Sequence, residues 1–204
     1  FIGRAGHAIV NIDNPDADAL AAALPTDRAT RFSIERAADL QAIFIEEKPF
    51  GVDFMVTEAD LIVEVTLQVP GRHNVANALA AIGAVRAVGV SLHEAAAALA
   101  GFAGLKRRFD LVGQVNDIAV IDDFGHNPDK IAATLETLHA FAGRLLILFQ
   151  PHGYGPLKVM RHELVASLVA HMAPDDLLVL PDPVYHGGTV TREVTSADII
   201  ADIA

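Results

Sequence analysis

Hydrophobic and polar positions change their period twice along the chain. Residues 7–12 (HAIVNI) form a short apolar run that predicts a buried strand. The following NIDNPDADAL breaks it with turn residues and opens a helix with Asp and Pro at its mouth. Residues 29–34, 42–47 and 52–57 are β-prone, and Pro49 and Gly51 predict a turn between the last two. In 61–67, Leu61, Val63, Val65 and Leu67 alternate with Ile62, Glu64 and Thr66. Period two with one mostly apolar face describes a half-buried, antiparallel strand.

Past Pro70-Gly71 the period becomes helical. Residues 74–88 are Ala-rich, and Gly89 predicts the stop. Ser91 and Glu94 have the spacing of a capping box for a helix over 92–101. Gly101, Gly104 and the cluster Lys106-Arg107-Arg108 then interrupt the pattern, which predicts two domains, 1–104 and 105–204. The second half reads strand, loop, helix three times. Strands are expected at about 115–121, 145–149 and 177–180, with helices at 129–142, at 158–172 and from Ser196. Apolar strands alternating with helices predict a parallel sheet, so the chain is of the α/β class.

Composition narrows the function. The 204 residues carry 15 Lys and Arg against 26 Asp and Glu, a formal charge of −11. That argues against a broad electrostatic grip on nucleic acid or anionic lipid, though not against a few cations around a phosphate. Cysteine is absent, which removes disulfides, zinc-thiolate sites and thiol nucleophiles and suits a cytoplasmic setting. No apolar run reaches the roughly 18 residues that span a bilayer. The opening at Phe1, without Met and in mid-pattern, predicts a piece of a longer chain.

In an open parallel sheet, ligands bind beyond the carboxyl ends of the strands. The three loops expected there hold Asp122, Asp123, His126, Gln150, His152, Tyr154, Asp182, Tyr185 and His186. P-loop, dinucleotide, nucleophile-elbow and zincin motifs are all absent, and no His pair has metal-ligand spacing on a helix. Three strings carry the chemistry. In the first, PGRHNVANALAA at 70–81, Asn74 and Asn77 share one helix face, and each carboxamide offers donor and acceptor to the edge of a purine. Read as a cap, Asn74 is explained but Asn77 and His73 are not. In the second, the guanidinium of Arg108 at the domain junction suits a phosphate; the alternative is a solvated basic cluster. In the third, DDFGHNP at 122–128, a strand-end carboxylate suits the hydroxyls of a ribose, and Gly125 allows a close backbone approach. An Asx-turn and helix cap would account for Asn127 alone.

Together these strings, G-x-H-N-x-x-N-x-x-A-A from Gly71, Arg108-Phe109, and Asp122 to Pro128, resemble the Mur ligase family of ATP-dependent cell-wall amide ligases. Phe149-Gln150-Pro151-His152-x-Tyr154 looks most like the branch that joins L-alanine to UDP-N-acetylmuramate. The resemblance implies that 1–104 is the later part of a central ATPase domain of helices and mixed or antiparallel strands. Residues 105–204 would then be most of a Rossmann-like carboxy-terminal domain. It implies ATP and magnesium as cofactors, with the metal's ligands mostly outside this stretch. A UDP-linked muramoyl substrate and an amino acid are the implied partners, joined through an acyl phosphate in the cytoplasm.

By the same resemblance His73, Asn74 and Asn77 would sit at adenine, Arg108 at the phosphates, and Asp123 at the ribose. Phe124 and His126 would line the same wall, and His152 would stand beside the incoming amine. The branch has Arg where Gly153 and Pro156 stand here, with Lys158 or Arg161 as possible substitutes. Two other expectations therefore stay open: a ligase using another amine, and a nucleotide-binding protein without catalysis. A plain structural α/β module is the third.

Overall fold

Alternation in 61–67 builds a strand because one face can be buried while the other stays wet. In the computed structural model, which describes residues 4–184 and 191–203, that strand is the last of a five-stranded mixed sheet. The chain divides into two compact units, 1–105 and 106–204. Tyr185 and His186 lie outside the described residues.

In the first unit, β1 (Ala8–Asn11), β2 (Ala29–Ser33) and β3 (Leu40–Lys48) run parallel. Then β3, β4 (Gly51–Glu58) and β5 (Leu61–Leu67) run antiparallel. Helix α1 (Pro15–Ala22) connects β1 to β2, capped by Asn14, which accepts from the Ala17 N–H at 2.9 Å. β2 meets β3 only at Phe32–Leu40 and Ser33–Gln41. Between Ile43 and Glu46 the register with β4 shifts, and Phe44 takes a left-handed φ of 51° and stands 81% exposed.

The core forms where α2 (Arg72–Arg86) and α3 (Leu92–Leu99) lie on this sheet. Val75, Leu79 and Ile82 pack with Leu40, Val52, Phe54, Val56 and Val65, each at most 2% exposed. Each such side chain contributes about 1.5–3 kcal/mol relative to exposure. Gly83 faces Ile9: a β-carbon there would sit 2.8 Å from its methyl, so glycine lets the helix close on β1. The capping box expected at Ser91 and Glu94 is formed, with both reciprocal bonds. Helix α2 begins at Arg72, two residues earlier than expected, because Gly71 (φ 94°) turns the chain from Pro70 straight into the helix.

The second unit opens differently from the expectation of one strand over 115–121. Residues 110–122 form an antiparallel hairpin, β6 (Asp110–Val115) and β7 (Ile118–Asp122). Asn116 and Asp117, with φ of 50° and 62°, make the two-residue turn, which accommodates Asn and Asp better than other non-glycine residues. Beyond it follow α4 (Pro128–Leu138), β8 (Leu146–Leu148), α5 (Tyr154–His171), β9 (Leu177–Val179) and α6 (Ser196–Ile203). β8 and β9 are parallel, as a strand–helix–strand unit requires. Ile147 and Leu178 point into a core of Ile131, Leu135, Leu157, Leu164, Leu168 and Ile199. Helix α5 starts four residues before the expected 158. Pro156 lacks an N–H, but it lies in the first turn, where those donors have no helical partner. The earlier start puts His152 one residue before the helix cap, Gly153.

Candidate functional site

In the first unit the candidate residues gather at the mouth of α2. Asn74, the third helical residue, donates through Nδ2 to the Pro70 carbonyl at 2.7 Å, so it is not the cap that a Ser or Asp would be. Asn77 Nδ2 donates to Asn74 Oδ1 at 3.3 Å, which aligns the two carboxamides on one face. Asn77 and His73 are exposed and Asn74 is half-buried. Arg72 pairs with Glu35 at 2.8 Å, tying the helix mouth to the loop after β2. That loop, the loop after β1 and the start of α1 line an open cleft of about 370 Å³ with Asp13, Asp18, Glu35 and Arg36. The buried Ser33 hydroxyl donates to Asp13, and Asp13 also accepts from the Ile34 N–H, while Arg36 pairs with Asp18. The sequence reading missed this network, because its members lie about 20 residues apart and match no motif.

In the second unit, the loop after β7 and the loop after β8 converge. The Phe124 and His126 ring centroids are 5.3 Å apart, Phe124 and His152 6.4 Å, and His126 and His152 6.3 Å. The Arg107 and Arg108 guanidiniums lie 5.0 and 5.6 Å from the Phe124 centroid, within cation–π range. His126 Nδ1 is 3.0 Å from the Phe124 carbonyl. Arg108 stands between two residues in the left-handed region, Arg107 (φ 61°) and Phe109 (φ 51°). Such backbone costs of order 1 kcal/mol or more per residue and is tolerated only where neighbours enforce it. Here the enforcement is visible: the Phe124 N–H donates to the Arg107 carbonyl, and the Phe109 N–H donates to Asp123 Oδ1.

Asp123 is half-buried, and its second oxygen accepts the Thr134 hydroxyl at 2.6 Å. Each carboxylate oxygen has a further lone pair for a ligand. A β-carbon on Gly125 would stand 3.2 Å from Asp123 Oδ2, so the close approach at this glycine is to the chain's own carboxylate. Asp122 pairs with Arg107 at 3.6 Å. Asn127 caps α4 by accepting from the Lys130 N–H.

Two residues of the expected wall have structural work instead. Asp182 Oδ1 accepts from the Ser196 N–H at the start of α6, and its carbonyl accepts from Gln150. The substitute cations turn elsewhere: Lys158 pairs with Glu193, and Arg161 holds Asp202 with two bonds of 2.6 and 2.9 Å. The Lys158 ammonium and the Thr191 hydroxyl hold Glu193 below the usual carboxylate range. Arg192, absent from the sequence reading, lies with its guanidinium 5.9 Å from the Tyr154 centroid. Among the described residues no three metal-ligating side chains gather, and no helix is long and apolar enough to cross a membrane.

Comparison with known proteins matches residues 1–85 to the Mur ligase middle domain and 107–204 to the Mur ligase glutamate ligase domain. A UDP-N-acetylmuramate–L-alanine ligase of Cereibacter sphaeroides is 33% identical over 97% of this chain and 43% of its own length. The same enzyme of a Jannaschia species is 35% identical over 95% of this chain and 40% of its own. Among solved structures, the Thermotoga maritima UDP-N-acetylmuramate-alanine ligase aligns with a TM-score of 0.62 at 28% identity, over 76% of this chain and 34% of that one. MurF of Acinetobacter baumannii aligns at 0.73 and 26% identity, over 88% and 39%. The chain thus spans about two fifths of the curated relatives it matches.

Proposed function

The chain belongs to the Mur ligase family, and from that premise we propose that it is the nucleotide- and amine-handling stretch of an ATP-dependent carboxylate–amine ligase of peptidoglycan precursor synthesis. The observation that carries this reading is the convergence of Phe124, His126 and His152 with two guanidiniums where the loops after β7 and β8 meet.

In this reading, ATP supplies the phosphoryl group that turns the substrate's carboxylate into an acyl phosphate, a far better leaving group. The Asn77 carboxamide, exposed and steadied by Asn74, meets the edge of adenine, and His73 flanks it. Asp123 accepts from the ribose hydroxyls with the lone pairs left by Phe109 and Thr134. Phe124 and His126 form the adjoining wall. Arg108, fixed by strained backbone on both sides, neutralises charge on the phosphates. The amine nitrogen then attacks the acyl carbon, the carbon–oxygen bond to phosphate breaks, and phosphate leaves. The amine must also shed a proton, and His152, exposed at the head of α5, is the group proposed to receive it. Magnesium, whose ligands the resemblance places mostly outside this stretch, would offset charge on the transferring phosphoryl group.

The UDP-N-acetylmuramate acceptor and L-alanine named for the relatives are the first substrates to test. A second reading, an amine other than L-alanine, is favoured by Gly153 and Pro156, where the resemblance led us to expect Arg. The test uses the full-length protein with ATP, UDP-N-acetylmuramate and a panel of amino acids, following phosphate release. Asn77→Ala and Asp123→Ala should each weaken ATP binding by roughly tenfold or more. Unchanged binding in both removes the adenine and ribose assignments. Absence of phosphate release with every amine leaves only a nucleotide-binding role.

A further inference from the structure

Asn74 and Asn77 stand three residues apart in the opening turns of α2, and their hydrogen bonds run in one direction. A backbone carbonyl oxygen only accepts, so the Asn74 atom that meets Pro70 at 2.7 Å is the amide nitrogen. That orientation gives Asn77 the Oδ1 end of Asn74. An amide oxygen also only accepts, so the Asn77 atom 3.3 Å away is in turn a nitrogen. The Pro70 carbonyl thus sets which end is nitrogen and which is oxygen in two successive carboxamides. At the exposed end of this chain, Asn77 keeps Oδ1 and the second hydrogen of Nδ2. Such a pair accepts from an exocyclic amine and donates to the neighbouring ring nitrogen, the pattern that an adenine edge completes. A 6-oxopurine would place a carbonyl oxygen against Asn77 Oδ1, acceptor facing acceptor.

We propose that Asn74 is a positioning residue for base selectivity. It holds the Asn77 carboxamide in the polarity that takes a purine with an amine at position 6 and rejects one with a carbonyl there. This rests on the nucleotide reading above and adds a direction to the contact. Asn77 alone would lack that direction, because a free carboxamide offers either end.

The experiment measures binding to the full-length protein by calorimetry. The nucleotides are ATP, inosine triphosphate, with a carbonyl at position 6, and purine riboside triphosphate, with only hydrogen there. The parent should prefer ATP to inosine triphosphate by roughly 10–100-fold, with purine riboside triphosphate between them. Asn74→Ala suits a helix and frees Asn77 to turn either end outward. It should bring the ATP-to-inosine-triphosphate ratio to within roughly fivefold of unity and tighten inosine triphosphate relative to purine riboside triphosphate. Asn74→Asp keeps an acceptor facing Asn77 and gives up the donor to Pro70. Its added charge should weaken every nucleotide, but the parent's ratio should survive. A ratio unchanged by Asn74→Ala overturns the proposal, since an equal loss on all nucleotides marks a purely structural role. So does a parent that binds ATP and inosine triphosphate alike, or an Asn74→Asp variant as unselective as Asn74→Ala. A parent that binds no nucleotide defeats the nucleotide reading itself and the Asn74 assignment with it. ATP binding with a ratio that no variant alters defeats the Asn74 assignment alone.

Discussion

Replacing Thr134 by Val separates the two duties assigned to Asp123. The Thr134 hydroxyl donates to Asp123 Oδ2 at 2.6 Å, and Val keeps the shape while removing the donor. A hydrogen bond to an ionised group contributes about 1.5–3 kcal/mol. Half-burial of Asp123 reduces that, so the expected loss is about 1–2 kcal/mol. For a unit of about this size each kcal/mol moves the midpoint by roughly 4–8 °C, giving a drop on the order of 5–15 °C. Asp123→Ala removes this bond and the one from the Phe109 N–H, leaving two donors without their acceptor. It should cost about 2–4 kcal/mol. The double variant should show a coupling of about 1 kcal/mol, since both changes delete the same bond. Urea unfolding followed by circular dichroism measures all three. ATP titration of the full-length protein then distinguishes them, for only Asp123→Ala removes the carboxylate proposed to accept from the ribose. A Thr134→Val variant within about 0.5 kcal/mol of the parent, or additive single effects, would refute the view that this bond fixes the carboxylate.

Three further outcomes can be checked. Gly51→Ala should cost about 2 kcal/mol or more in a thermal melt, because its β-carbon would stand 2.5 Å from the Leu67 carbonyl oxygen and backbone cannot yield cheaply; a melt equal to the parent's contradicts it. Ser91→Ala should cost about 1 kcal/mol by loss of the α3 capping box, and Glu94→Ala should then add little on top. Burial alone would push Asp176 up, but the N–H groups of Leu145 and Ala173 and the His139 ring outweigh it and hold the carboxyl below its usual range. A depressed folded value gives stability that is complete above the unfolded value of about 3.9 and lost as pH falls through the folded one. Asp176→Asn should therefore weaken the second unit by about 1–3 kcal/mol at pH 7, with the gap to the parent narrowing as pH falls below the unfolded value of about 3.9. A gap independent of pH would contradict this assignment.

Local signals were legible in the sequence, and long-range ones were not. The alternation of 61–67, the capping box at Ser91 and the turn at Pro70-Gly71 each act within a few residues, and each produced the element expected of it. The hairpin at 110–122 was misread because its turn is Asn116-Asp117 without a glycine, so the two strands looked like a single one with a long lead-in. The head of α5 was placed too late because Gly155-Pro156 resembles a break, although the first turn tolerates both. At the candidate site, motif order pointed to Asp123, Phe124, His126 and His152, and the structure gathers the rings of the last three. The partners of Asp123, Lys158 and Arg161, which are Thr134, Glu193 and Asp202, could not be foreseen, since pairings across 11, 35 and 41 residues depend on tertiary packing.

The irregularity in β3 has a consequence for the protein in concentrated solution. Among the described residues, β3 from Ala42 onward has a strand partner on its β4 side only, so its other side offers amide and carbonyl groups that a foreign strand could zip onto. The kink at Phe44 spoils the straight template, and Glu46, Glu47 and Lys48, all exposed, would meet an arriving copy of the same segment charge against charge. What looks like a flaw in the pairing thus acts as a gatekeeper against fibrillar association of this unit.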